Sequence, residues 1–154
     1  MYLISSTKLK KSKKLLEETE PYFYSLQDLI RRILRHMPDV EHFYFNPRKE
    51  IKEEDRVKGL IVITGDKGLA GAYNHNVLKM AQEWMEQSKN HRLYVVGELG
   101  RHYFEARHIQ VRSSSITRYK PTMHRARLIS STILEDYEEG RLDEVWIIYT
   151  QMLN

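Results

Sequence analysis

Tyr22, Leu26, Leu29, Ile30, Ile33 and Met37 recur in steps of three and four, the spacing of one face of an α-helix. Upstream the apolar residues are sparser (Met1, Ile4, Leu9, Leu15, Leu16), yet the first 37 residues contain no Gly and are rich in helix formers. The pattern predicts a helix over residues 1–37, long for a globular protein and therefore a projecting element. Pro21 falls inside it. Proline costs a helix interior roughly 3 kcal/mol, so a kink or break is expected there. Pro38 ends the helix.

Residues 38–56 lack a regular period. They hold an aromatic cluster (Phe43, Tyr44, Phe45), the pair Asn46-Pro47 and a run of mixed charges, and they read as a surface connector whose aromatics pack back onto the domain. From residue 57 the pattern alternates. Residues 57–64 form a nearly continuous apolar run, as expected for a strand covered on both faces. A Gly-rich turn leads to a helix with the stripe Tyr73, Val77, Ala81, Trp84 and Met85, then to a second strand at 92–96. Gly97 and Gly100 punctuate a short helix ending near Arg107, residues 108–111 read as a third strand, and 113–121 as a polar loop. A helix over 122–139 follows, with the stripe Ala126, Ile129, Ile133, Leu134 and Tyr137 and with Gly140 as its stop. Residues 145–150 form a last strand. The predicted fold class is α/β: a small doubly wound, mainly parallel sheet flanked by helices over 57–154, with a long N-terminal helix attached.

Composition narrows the classes. At 154 residues, 41% apolar and 30% charged, the chain suits one domain with an appendage, large enough to bury about 70% of its unfolded surface. It has no Cys, which excludes disulfides, thiolate metal sites and cysteine nucleophiles. No apolar run approaches the roughly 20 residues that span a bilayer, and no secretory signal is visible, so a soluble or peripheral cytoplasmic protein is expected. The net charge of +4 is mild, but its placement is not even. Lys8, Lys10, Lys11, Lys13 and Lys14 crowd together, and Glu17, Glu18 and Glu20 follow at once. No aromatics interleave the lysines and the glutamates oppose a polyanion, so a solvated helix face or an acidic protein partner is favoured over nucleic acid.

The remaining chemistry is sparse. Residues 63–74 read Ile-Thr-Gly-Asp-Lys-Gly-Leu-Ala-Gly-Ala-Tyr-Asn and join a strand to a helix, where α/β folds bind phosphates. The spacing is neither the Gly-x-Gly of dinucleotide folds nor a P-loop, and Asp66 repels phosphate, so a tight structural turn is the preferred reading. A small-molecule or nucleotide site on the turn between Asp66 and Gly71 is the alternative. The histidines have no metal-ligand spacing, with His36/His42 and His102/His108 six apart. Ser113, Ser114, Ser115, Ser130 and Ser131 lack a nucleophile elbow. Asp66 alone makes no acid/base pair. No cofactor and no metal are expected.

The segment 63–74 nevertheless resembles the gamma subunit of F-type ATP synthase, which carries Ile-Thr-Ser-Asp-Arg/Lys-Gly-Leu-Cys-Gly followed by a small residue, an apolar residue and Asn. Two further stretches are similar to that family: Ser5-Ser6-Thr7-Lys8-Leu9-Lys10-Lys11, followed by Pro21-Tyr22, and Glu139-Gly140-Arg141-Leu142-Asp143-Glu144-Val145. The likeness covers nearly the whole chain in the same order. Gly65 stands where Ser is usual and Ala70 where Cys is common. Both ends of the family pattern are lacking, so the chain reads as the central domain plus the lower N-terminal helix.

The resemblance implies a rotor. The family's gamma subunit is the central stalk, with an antiparallel coiled coil inside the alpha/beta ring and an α/β domain near the epsilon subunit and the membrane-sector c-ring. Its rotation couples proton flow to ATP synthesis or hydrolysis, and the catalytic sites belong to beta. The chain is thus expected to have no intrinsic catalysis and no nucleic-acid partner, and to sit peripherally at the cytoplasmic face of a bacterial plasma membrane. The matched positions implied as partner contacts, facing acidic loops of beta, are Met1, Lys8, Lys10 and Lys11.

Overall fold

The computed structural model describes residues 2–45, 48–66, 72–112 and 123–151. It divides into two units, with the boundary after residue 47.

The first unit is built on α1, Tyr2–His36, 35 residues long. At 1.5 Å per residue it extends about 52 Å. No break falls at Pro21, which α1 includes within its run. Proline removes the amide that Glu17 would otherwise receive, but both residues are exposed and water can serve that carbonyl. Arg35 and His36 occupy the last turn, where positive charge complements the helix dipole. Beyond it, Phe43 and Tyr44 stack with ring centroids 4.6 Å apart, and the His42 ring lies 5.1 Å from Tyr44. Within this unit Phe43, Tyr44 and Phe45 gather around His42, and each is more than 40% exposed.

In the second unit, β1 (Lys58–Ile63), β2 (His91–Val96) and β3 (Glu144–Ile148) form a parallel sheet in the order β2-β1-β3. Leu60 pairs with Leu93 on one side and with Trp146 on the other. The helices are α2 (Tyr73–Gln87), α3 (Glu98–Ala106) and α4 (Met123–Glu138). Strand alternation sends Leu60, Val62, Leu93 and Val95 to one face, where they bury against Val77, Leu78, Ala81 and Met85 of α2 and Phe104 of α3. Ile61 and Tyr94 point to the other face, against Ile129, Ile133 and Tyr137 of α4 and Leu142 beyond it. Helices therefore cover both faces of a parallel sheet, as the apolar runs of β1 and β2 require. The stripe of α2 matches expectation at Val77, Ala81 and Met85, whereas Ala126 and Leu134 of α4 lie exposed and Asp136 is buried in their place.

One expected strand is missing. Residues 108–111 do not join the sheet. His108 adopts φ 54° directly after α3, and the amides of His108 and Ile109 donate back to the carbonyls of Glu105 and Phe104 at 3.0 Å each. This is a Schellman closure, with histidine in the left-handed position that glycine usually takes. Those amides are spent on the helix end, and Arg112 N–H, just beyond them, donates to Leu93 O at 2.8 Å. The expected stop at Gly140 is realised in the same way. At φ 80° it lets Gly140 N–H donate to Tyr137 O and Arg141 N–H to Asp136 O. The polar loop expected at 113–121 lies outside the described residues.

Candidate functional site

The Gly-rich turn itself, residues 67–71, is outside the described residues, but its flanks are defined. Gly65 N–H donates to Asn74 Oδ1 at 2.9 Å, tying the end of β1 to the first turn of α2. Asp66 Oδ1 accepts from Glu98 N–H at 3.0 Å, so a carboxylate of the chain caps the N-terminus of α3. Thr64 Oγ1 donates to Val96 O and accepts from Gly100 N–H, each near 3.0 Å. Gly97 is at φ 104°, and a Cβ there would collide with the Thr64 carbonyl oxygen. The flanks of the turn thus lock three elements together. The anion position at the head of α3 is filled by Asp66.

The basic segment is on α1 and its lysines are exposed. At about 100° per residue, Lys8 and Lys11 fall on the same side of the helix as Ile4, Leu15, Leu26 and Ile33. The apolar stripe is therefore interrupted by positive charge over residues 8–11 and resumes at Leu15. Lys10 lies on the opposite side from Lys8, so these lysines do not converge on one point. Lys14 approaches Glu18 at 4.0 Å, an exposed pair of small worth. Met1 is outside the described residues.

Among the described residues, a cluster of charge around Asp136 is one that the sequence pattern does not reveal. Asp136 on α4 is fully buried and accepts from Tyr94 Oη at 2.6 Å, from Arg112 through both Nε and Nη2 at 3.2 Å, and from Arg141 Nε at 2.8 Å. Arg92 Nη1 adds an ion pair at 3.5 Å. Burial pushes the Asp136 carboxyl up, but hydrogen bonds from Arg112, Tyr94 and Arg141 and the charge of Arg112 outweigh it and hold the group well below the usual carboxylate range. Tyr94 is pushed the other way, first by burial and then by its bond to that anion. The sequence does hold a usable signal. Asp136 follows Ile133 by three residues, on the apolar stripe of α4, where a carboxylate is tolerated only when partnered.

A second clasp holds the same C-terminal end of α4. Arg48 donates to Leu142 O at 2.6 Å, to Asp143 Oδ1 at 2.8 Å and to Tyr137 O at 3.1 Å, while its guanidinium lies 4.1 Å from the Tyr137 ring centroid. Asp143 in turn accepts from Val57 N–H at 2.9 Å. Both are structural ties. Among the described residues no group of three or more His, Cys, Asp or Glu side chains is placed to hold a metal ion, and no helix is long and apolar enough to cross a membrane.

The ATP synthase family model matches residues 1–154. The chain belongs to the ATP synthase gamma-chain family. It is 40% identical over 153 residues to the ATP synthase gamma chain of Caldanaerobacter subterraneus, covering 99% of this chain and 52% of that one. It is 42% identical to the gamma chain of Ruminiclostridium cellulolyticum, covering all of this chain and 52% of the relative. To the gamma chain of Acetobacterium woodii, described as sodium ion specific, it is 36% identical, covering all of this chain and half of the relative. This gamma-family chain thus spans about half the length of the curated relatives it matches. The family resemblance stated from segment 63–74 stands across its whole length.

Proposed function

We propose that this gamma-family chain is central-stalk material of an F1Fo ATP synthase, coupling proton translocation to ATP synthesis or hydrolysis by rotating inside the ring of alpha and beta subunits. The observation that carries this reading is the match of a gamma-chain family along all 154 residues, on a chain that presents a 35-residue helix with exposed apolar side chains. Such a stripe is stable in water only against a partner. In this reading the partner is the rest of the coiled coil together with the alpha/beta ring. Lys8, Lys10 and Lys11, with Met1, contact acidic loops of beta, and the α/β unit faces epsilon and the c-ring.

The chain supplies no catalytic group in this reading. Asp66 caps α3, and Asp136 is sequestered by arginines, so the buried or helix-capping carboxylates are occupied by structural duties. The location that follows is peripheral, at the cytoplasmic face of a bacterial plasma membrane, held there through the complex. The test is co-expression with the alpha, beta and epsilon subunits of the same source. Co-purification of this chain in a complex that hydrolyses ATP is the expected result. Failure to enter any such complex, together with saturable ATP binding by the chain alone, would overturn the stalk reading in favour of a nucleotide site on the turn at residues 66–71.

A further inference from the structure

The cluster around Asp136 carries more positive charge than its carboxylate requires. Arg112 alone forks onto both oxygens of Asp136, which suffices to neutralise it. Arg141 and Arg92 then add two further guanidinium groups to the same carboxylate. Glu139 engages Arg141, and a surplus of positive charge still remains. Arg141 and Arg112 bring like charges to the same carboxylate and oppose one another there.

The three arginines also differ from Asp136 in exposure. Asp136 is sealed, whereas the side chains of Arg92 and Arg141 are 32% exposed and that of Arg112 is 46% exposed. Each guanidinium has five N–H groups and spends only one or two on Asp136. The remaining donors come from three separate places: the edge strand β2, the segment after α3, and the turn that closes α4. The four hydrogen bonds from Tyr94, Arg112 and Arg141 fill the acceptor sites of the Asp136 carboxylate, and the other guanidinium N–H groups are left over. Three guanidinium groups gathered on one carboxylate offer a surplus of donors and charge of the kind that a tetrahedral anion with three or more acceptor oxygens takes up.

We propose that the outer face of this cluster is a binding site for a phosphate-class oxyanion, held by Arg92, Arg112 and Arg141 over the buried Asp136. The buried carboxylate orients the guanidinium groups and restrains their rotamers, which lowers the ordering cost of binding. The anion offsets their mutual repulsion. The source of the phosphate is either the free ion or the terminal phosphate of a nucleotide, and the site is independent of the stalk reading.

The experiment follows the arginine Nε–H signals of the full chain by NMR during titration with inorganic phosphate, at constant ionic strength maintained with chloride. Saturable shifts of Arg92, Arg112 and Arg141 at millimolar phosphate are expected, with Arg101, whose fork is taken by Glu98 and Glu105, unmoved. Arg112→Gln should weaken phosphate binding about tenfold, with Arg112→Lys intermediate because it keeps the charge and loses the fork. The lysine variant keeps the test valid if the glutamine variant unfolds. A parallel titration with ADP separates the sources: saturation at lower concentration than phosphate assigns a nucleotide phosphate, and equal or weaker binding assigns the free ion. Shifts that do not saturate, that chloride reproduces, or that survive both substitutions unchanged would show a structural arginine clasp only and overturn the proposal.

Discussion

The Tyr94 hydroxyl of β2 donates a 2.6 Å hydrogen bond to the fully buried carboxylate of Asp136 on α4, and through this contact the sheet and the helix share one charge. The two ends of the bond are unequal. Tyr94→Phe removes one donor and leaves the arginines on Asp136, so it should cost about 1 kcal/mol. Asp136→Ala strands a set of guanidinium groups against a hole. Full burial of an unpaired charge would cost about 3–5 kcal/mol, and because these arginines can turn to solvent the loss should be about 2–3 kcal/mol. Denaturant unfolding of the two variants checks the ranking, and equal losses would show that Asp136 is held by packing alone.

The same pair sets opposite pH limits. The folded carboxyl of Asp136 is depressed, so its contribution is present above the unfolded value of about 4 and is lost as pH falls through the folded value. Tyr94 is raised: its contribution is present below the unfolded value of about 10 and is lost as pH climbs towards the folded one. The stability gap between the native chain and Asp136→Asn should therefore shrink progressively below about pH 4. In Tyr94→Phe the alkaline decline above about pH 10 should be shallower. Unfolding curves at a series of pH values read both. A gap that stays constant into acid would mean that Asp136 already titrates normally.

Much of this is legible in the sequence, for physical reasons that can be named. Residues 57–64 are a buried central strand, and their apolar run says so because both faces are covered. The stop at Gly140 is legible because a left-handed closure prefers glycine. The equivalent closure at His108 is not, since histidine carries no such signature, and the apolar alternation of residues 108–111 imitates a strand. The clasps of Asp136 and Arg48 join residues 24 and 95 positions away from a partner, and periodicity does not report such pairings. Only a carboxylate on an apolar stripe points towards the first. The family, by contrast, is carried by the small-residue turn at 63–74, whose flanks join β1, α2 and α3.

Two glycines with positive φ should respond differently to alanine. Gly140, at φ 80°, has open space where a methyl group would sit, so Gly140→Ala meets only the left-handed backbone penalty of about 1–2 kcal/mol. Gly97, at φ 104°, would drive its methyl group into Thr64, which is itself bonded to Val96 and Gly100. Gly97→Ala should cost more than about 3 kcal/mol, or leave no folded protein, because backbone strain and overlap add. Thermal melts of both variants decide it. Equal losses would mean that the β2–α3 corner moves aside freely.

Lys8, Lys10 and Lys11 test the stalk reading without disturbing the fold. They are exposed on α1, and neutralising them relieves mild like-charge repulsion. The triple Lys→Gln change should shift the stability of the isolated chain by no more than about 1 kcal/mol. In an assembled complex with alpha and beta it should change the salt dependence of ATP hydrolysis, since rim charges act through screened attraction. Unfolding of the isolated chain by this change would sink the partner-contact reading.

The last expectation concerns α1 itself. Its large apolar side chains are 40–66% exposed, so little burial holds the helix. Each such side chain forgoes part of the roughly 1.5–3 kcal/mol that full burial would contribute. Pro21 removes one intrahelical hydrogen bond as well, and a helix supported by propensity alone is marginal in water. By contrast Leu60 and Val62 of β1 are wholly buried in a strand paired on both sides. In a dilute sample, amide exchange along α1 should therefore be faster by orders of magnitude than in β1. Adding alpha and beta subunits should slow α1 selectively and leave β1 unchanged. If protection of α1 rises instead with the concentration of the chain alone, copies of α1 cover one another's stripe. Protection of α1 equal to that of β1 in a dilute monomer, with no partner present, would show that this helix needs none, and the argument for a stalk from its exposed stripe would fall.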